Sequence, residues 1–190
     1  MNDLFDAALE IQQFLLGRNW RFCVIGGLAA IRWGEPRATQ DVDISLLTGF
    51  GDEESYVRQI LSDFDGRIEN AHGFALENRV LLVSASNGKP VDISLAGIPF
   101  EELMVDRASP FVFAPGVSLT TCSAEDLVIL KAFAGRELDW SAVEGILVSH
   151  AGNLDWLYIE EHLPPLCELK GEPGIVARLM RLREHLQPPR

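Results

Sequence analysis

Apolar residues recur at helical spacing from the start of the chain. Leu4, Ala7, Ala8, Ile11, Phe14 and Leu15 line one face of a helix predicted over residues 3–17, and Gly17 with Asn19 end it. The run Arg21-Phe-Cys-Val-Ile25 is rich in strand formers and stops abruptly at Gly26-Gly27. Helical character resumes over Leu28–Trp33 until Gly34 and Pro36, so this stretch reads as strand, tight glycine turn, helix. Asp41-Val-Asp-Ile-Ser-Leu46 alternates strictly and predicts a half-buried strand. A helix opened by acids is expected over Asp52–Phe64. Val80–Ser84 and Pro90–Leu95 then form strands joined by a turn at Asn87-Gly88.

The pentapeptide Val-Asp-Ile-Ser-Leu occurs at 42–46 and again at 91–95. Nothing around it repeats, which argues against a duplicated domain. Two strands of the same phase would present Asp43 and Asp92 on equivalent faces. Phe111–Phe113 and Val117–Thr121 suggest a further strand near the sheet edge, interrupted by Pro115-Gly116.

From Ser123 onwards the chain is helical. Ser123-Ala-Glu-Asp126 has the form of a capping box, and Leu127–Ala134 follows as a helix ended by Gly135. Further helices are expected over Ser141–Ser149, Leu154–Leu163 and Ile175–Leu186, with Pro164-Pro165 and Pro173-Gly174 as breaks. The layout is α+β. A sheet-bearing core over residues 1–122 is followed by a set of short helices over 123–190, packed on the core in one compact unit.

Composition narrows the class. A chain of 190 residues with 47% hydrophobic and 23% charged residues suits a soluble globular protein of this length. Three cysteines (Cys23, Cys122, Cys167) are too few and too scattered for a disulfide framework or a zinc site. The N-terminal stretch has acids where a signal peptide carries lysines, and no apolar run approaches the roughly 20 residues of a membrane span. The expected address is the cytoplasm, with no membrane partner.

Charge adds a constraint on partners. The formal net charge is −12, and the imbalance is uneven: residues 1–169 hold 11 basic and 26 acidic residues, whereas residues 170–190 hold five basic and two acidic. Such a surface repels polyanions and argues against broad DNA binding. It leaves room for nucleotides bound through metal ions.

Chemistry concentrates at Asp41-Val-Asp43. Residues i and i+2 of a strand share a face, so both carboxylates point one way while Val42 and Ile44 point into the core. Carboxylates that close repel, and they are relieved by a proton or a shared cation. Magnesium, which takes oxygen ligands from carboxylates and substrate phosphates, is the natural partner. Two solvated acids on an exposed strand are the plainer reading of any lone D-x-D. Asp92 adds a third carboxylate, and Gly26-Gly27 lies between strand and helix, where glycines permit close backbone approach and helix N–H groups can meet a phosphate. Together these elements point to phosphoryl or nucleotidyl transfer.

The ordered elements Ile25-Gly-Gly-Leu-Ala-Ala, Gly34-x-x-Arg37-x-Thr39-x-Asp41-x-Asp43-Ile and Ser123-x-Glu-Asp-Leu-x-x-Leu-Lys131-x-x-Ala-Gly-Arg136-x-x-Asp139 do not stand alone. Over roughly residues 20–140 they resemble nucleotidyltransferases of the DNA polymerase β-type superfamily. More narrowly, they resemble its bacterial abortive-infection and toxin–antitoxin (AbiEii-like) branch. The resemblance implies a mixed-sheet nucleotidyltransferase core and two magnesium ions held by Asp41 and Asp43. Asp92 would complete one metal site and help deprotonate the attacking hydroxyl. It further implies that Gly26 and Gly27 hold the triphosphate through backbone N–H groups. Arg37 and Thr39 enter the metal strand and line the nucleotide site with Lys131, which contacts phosphate, and Arg136. From the residues alone, Lys131 is equally a snorkelling lysine, and Arg136 with Asp139, which could brace the site from behind, is more readily an ordinary surface ion pair. Where the family often has serine after the first glycine, this chain has Gly27.

The expected activity is transfer of a nucleoside monophosphate from an NTP such as ATP to a hydroxyl, with pyrophosphate released. The acceptor would be a tRNA end or a partner-protein side chain, and a cognate antitoxin is a possible partner within that branch. The alternative is a catalytically silent nucleotide-binding regulatory module. His72, His150, His162 and His185 lack metal-ligand spacing, the four tryptophans are expected to pack the core or a seam, and Cys23 reads as an inert buried thiol.

Overall fold

The alternating segments of the N-terminal part gather into a seven-stranded mixed sheet in the computed structural model, which describes residues 3–34, 38–150 and 152–186. The chain divides into two compact units, residues 1–28 with 38–122 and residues 29–37 with 123–190. The sheet belongs to the first unit. Its strands are β1 (Phe22–Val24), β2 (Val42–Leu47), β3 (Asp65–Gly66), β4 (Val80–Ser84), β5 (Pro90–Ala96), β6 (Ser109–Ala114) and β7 (Val117–Thr121), in the spatial order β3-β4-β5-β2-β1-β7-β6. β2 and β5 run parallel, as do β1 and β7, and the remaining neighbours are antiparallel.

The two pentapeptides lie side by side in register, Val42 opposite Val91 through Leu46 opposite Leu95. Because the pairing is residue for residue, Val42, Ile44, Leu46, Val91, Ile93 and Leu95 all fall in the core, each at most 2% exposed. Asp43 and Asp92 then share one row on the opposite face.

Helix α1 (Asp3–Gly17) packs on β7 and β2 with Leu4, Ala7, Ala8, Ile11 and Leu15 of its predicted apolar face buried and Phe14 half-buried. Gln12 on that face is also buried: its amide donates to the Ser118 carbonyl and accepts from the Thr120 N–H, each at 2.8 Å, pinning the helix to β7. Helix α2 (Gly26–Trp33) begins at the glycine pair itself, two residues ahead of the predicted start, and continues into the second unit. Helices α3 (Glu53–Leu61), α4 (Ala71–Asn78) and α5 (Pro99–Arg107) complete the first unit.

Pro115-Gly116 does not interrupt one strand; it turns a hairpin of two, β6 and β7, with Gly116 at φ +78°. β6 forms the sheet edge, where Pro110 is tolerated, while β7 is internal. The sequence pattern also left β3, α4 and α5 unassigned. α4 is capped by Asn70, whose side chain accepts from the Gly73 N–H at 3.1 Å. α5 is opened by Pro99 at its first turn and by Glu101, which accepts from the N–H groups of Gly97 and Ile98.

The second unit is built around α6 (Ala124–Ala134), which contacts α7 (Glu137–Ser149), α8 (Trp156–Lys170) and α9 (Gly174–Leu186). Leu127, Val128, Ile129 and Ala132 are fully buried, so α6 is apolar nearly all round, as a central helix must be. The Ser123 hydroxyl caps it, accepting from the Asp126 N–H at 3.1 Å and donating to the Asp126 carboxylate at 2.6 Å. Tyr158 donates to the other oxygen of Asp126 at 2.7 Å. Pro164-Pro165 does not break α8. The helix runs through both prolines because Ile159, Leu163 and Cys167 form one buried stripe spanning them. Among the described residues, no helix is long and apolar enough to cross a membrane.

Candidate active site

The row shared by β2 and β5 sets the site. Asp43 and Asp92 are cross-strand partners, and Asp41 lies one residue ahead of β2, two before Asp43. One carboxylate oxygen from each of Asp41, Asp43 and Asp92 lies within 4.8 Å of the others. All three are partly exposed, so the cluster opens to solvent on the face away from the core. Three oxygen donors this close, in reach of water, suit a hard divalent cation that retains several waters or substrate oxygens.

Each carboxylate has a distinct support. Thr39 donates its hydroxyl to Asp41 Oδ1 at 2.9 Å, which fixes that carboxylate ahead of the strand. Asp43 Oδ2 accepts from the Gly27 N–H at 3.3 Å, at the start of α2. Asp92 is paired with Arg67, whose guanidinium donates to Asp92 Oδ1. Partial burial pushes the Asp92 carboxyl above its ordinary value; Arg67 acts against this, and the neighbouring Asp41 charge adds to it.

The glycine pair is required by close approach. Gly26 has φ +61°, and a Cβ there would collide with the Asp43 carboxylate. A Cβ on Gly27 would collide with the Thr39 side chain. Gly27 therefore leaves room for Thr39 where a serine would not, and the Thr39–Asp41 bond depends on that space.

Lys131 and Arg136 belong to the second unit, and both meet Asp139 there. Lys131 Nζ lies 3.0 Å from Asp139 Oδ1, and Arg136 Nε lies 2.6 Å from Oδ2. Asp139 is only 2% exposed, so this is a buried carboxylate with two cationic partners rather than a surface pair. Arg37 lies outside the described residues. Trp140 and Trp156 are faced by Arg178 and Arg183 of α9, which also pair with Glu137 and Glu160. Those basic side chains are engaged within their own unit.

Arg67 escaped sequence reasoning. It follows a two-residue strand that carries no alternation, and its charge is legible as a site element only once β4 is known to lie beside β5.

No protein-family profile matches the chain, and no curated protein matches it. Solved structures do. An antigenic nucleotidyltransferase-like protein from Paracoccidioides brasiliensis superposes with a TM-score of 0.54 at 17% identity, covering 94% of this chain and 93% of that one. The lincosamide antibiotic adenylyltransferase LnuA, with lincomycin bound, superposes with a TM-score of 0.52 at 10% identity, covering 74% of this chain and 94% of that one. The architecture is thus the nucleotidyltransferase fold: a mixed sheet flanked by helices, followed by short helices.

Proposed function

We propose that the protein is a magnesium-dependent nucleotidyltransferase that moves a nucleoside monophosphate from an NTP to a hydroxyl acceptor and releases pyrophosphate. The observation that carries this reading is the carboxylate cluster: in-register parallel pairing of two identical pentapeptides sets Asp43 beside Asp92, and with Asp41, two residues ahead, one oxygen of each lies within 4.8 Å of the others. The fold shared with LnuA supports it, since that protein is an adenylyltransferase.

Asp41, Asp43 and Asp92 would hold the metal. A magnesium ion held by these three carboxylates would supply charge neutralisation for the triphosphate and the acceptor oxygen. The chain's own work is positioning. Thr39 holds Asp41 in place, and Gly26 and Gly27 let backbone approach the acidic face. Asp92, on the same acidic face, is the carboxylate that takes the hydroxyl proton at one of its oxygens. Lys131, Arg136 and Arg37 are assigned to nucleotide phosphate on the motif resemblance alone; Lys131 and Arg136 meet Asp139 within their own unit.

For the acceptor, the surplus of acid through residue 169 and the engagement of Arg178 and Arg183 weigh against a tRNA end. A protein side chain or a small hydroxyl compound fits better; LnuA, a lincosamide antibiotic adenylyltransferase of the same fold, has the small molecule lincomycin bound. A toxin role, with an antitoxin as partner, belongs to the same chemistry and differs only in the acceptor.

The test is label transfer. The protein is incubated with magnesium and each of four α-labelled NTPs, against tRNA, lysate protein and a panel of hydroxylated small molecules. Asp41→Asn and Asp43→Asn are expected to lower transfer by at least about a thousandfold. Equal transfer by wild type and variants refutes the assignment. Magnesium-dependent nucleotide binding without transfer to any acceptor supports a regulatory module instead.

A further inference from the structure

Arg67 sits in the same lateral row as the acids. Its N–H donates to the Leu82 carbonyl at 3.0 Å, Leu82 lies opposite Asp92, and Asp92 lies opposite Asp43. Side chains along one row of a sheet share a face. The guanidinium therefore reaches over β4 onto Asp92, and its place is fixed by backbone pairing rather than by a flexible loop. Arg67 and Asp92 side chains are 29% and 32% exposed, so the pair is open to solvent and able to exchange partners.

A carboxylate that bears a guanidinium is a poorer ligand for a divalent cation. The two positive charges compete for the same oxygens and repel each other. A triphosphate alters that balance. It brings several negative charges to the acidic face, and a guanidinium is well matched to phosphate through paired N–H donors.

We propose that Arg67 is the resident counter-ion of the acidic site and couples metal uptake to nucleotide binding. Without nucleotide it holds Asp92 and weakens the divalent cation; with the triphosphate present it turns from Asp92 to phosphate. Metal and nucleotide then bind cooperatively, each raising the other's affinity by the same factor. The inference rests on the nucleotidyltransferase reading and adds a residue and a binding order to it.

The experiment measures Mn²⁺ affinity by electron paramagnetic resonance, with and without α,β-methylene-ATP and the corresponding CTP, GTP and UTP analogues. The full chain is used, as wild type, Arg67→Gln and Arg67→Lys, with folding checked by circular dichroism. Arg67→Gln is expected to tighten Mn²⁺ binding without nucleotide by about two- to fivefold, the scale of one open charge pair. It is expected to weaken nucleotide binding in the presence of Mn²⁺ by about tenfold. Arg67→Lys, which keeps the charge, should fall between. A merely structural arginine would move both affinities in the same direction. Unchanged Mn²⁺ affinity, or weakening of both ligands, overturns the proposal while leaving the metal site intact. If wild type binds Mn²⁺ no better than Asp41→Asn, the metal site itself is refuted and this inference falls with it.

Discussion

Replacing Asp139 by asparagine tests whether the carboxylate under Lys131 and Arg136 is a strong internal tie. The side chain keeps its shape and loses its charge, leaving the Lys131 ammonium, 14% exposed, without its counter-ion. Arg136 is 77% exposed and can turn to water. Breaking a fully buried pair from one side costs about 3–5 kcal/mol. The partial exposure of Lys131 lowers the expectation to about 2–3 kcal/mol, or roughly 5–10 °C in Tm for a chain of this length. Arg136→Ala should cost under about 1 kcal/mol, as exposed pairs do. The pair Lys131→Met with Asp139→Leu should recover most of the loss, because no charge is then stranded.

The same group sets a pH dependence. Burial pushes the Asp139 carboxyl up, but hydrogen bonds from Arg136 and Lys131, with their charges, outweigh burial and hold it below its ordinary value. An acid depressed in the folded state binds fewer protons there than in the unfolded chain. Its contribution is present above the unfolded value of about 3.9 and lost as pH falls through the lower folded value. In urea unfolding, the gap between wild type and Asp139→Asn should therefore hold from pH 7 to about pH 4 and begin to narrow below it. Asp139→Asn within about 0.5 kcal/mol of wild type at pH 7, or a double variant no more stable than Asp139→Asn, refutes the reasoning.

Two further outcomes follow from local geometry. Gly26→Ala places a Cβ against the Asp43 carboxylate in a left-handed backbone conformation, so it should cost about 1–2 kcal/mol by thermal melt and abolish Mn²⁺ binding in the same titration used for Arg67. Pro165→Ala restores an N–H inside α8 and removes a ring clash at an exposed position; urea unfolding should show a gain of about 1 kcal/mol, and a loss would mean the prolines shape the helix usefully.

What the sequence reveals here depends on how local the cause is. α1 follows from its own apolar stripe, and β4 with β5 from alternation around Asn87-Gly88, so both match their predicted spans within a residue. The acidic cluster was legible because a repeated pentapeptide fixes phase without knowledge of pairing. β3 is two residues long and α4 has no clear apolar stripe; both exist because neighbouring elements hold them. α8 passes its prolines because a buried face extends past them, which propensity alone cannot reveal. Arg67 and the double pairing of Asp139 depend on neighbours distant along the chain, or on burial that spacing does not show.

The repeat also explains why the site needs so few residues. Parallel pairing with no offset carries every feature of one strand onto the next, so one buried set anchors both strands and one acidic position is duplicated across the row. A slip of one residue would turn Val91, Ile93 and Leu95 outward and place Asp92 in the core, at a cost no folded sheet of this size could absorb. The packing that holds β2 against β5 is therefore the same constraint that holds Asp43 beside Asp92. Asp41 joins them only because it precedes the strand by one residue and Thr39 holds its carboxylate. The site's precision is thus inherited from the core beneath it, and what the surface adds is the counter-charge of Arg67.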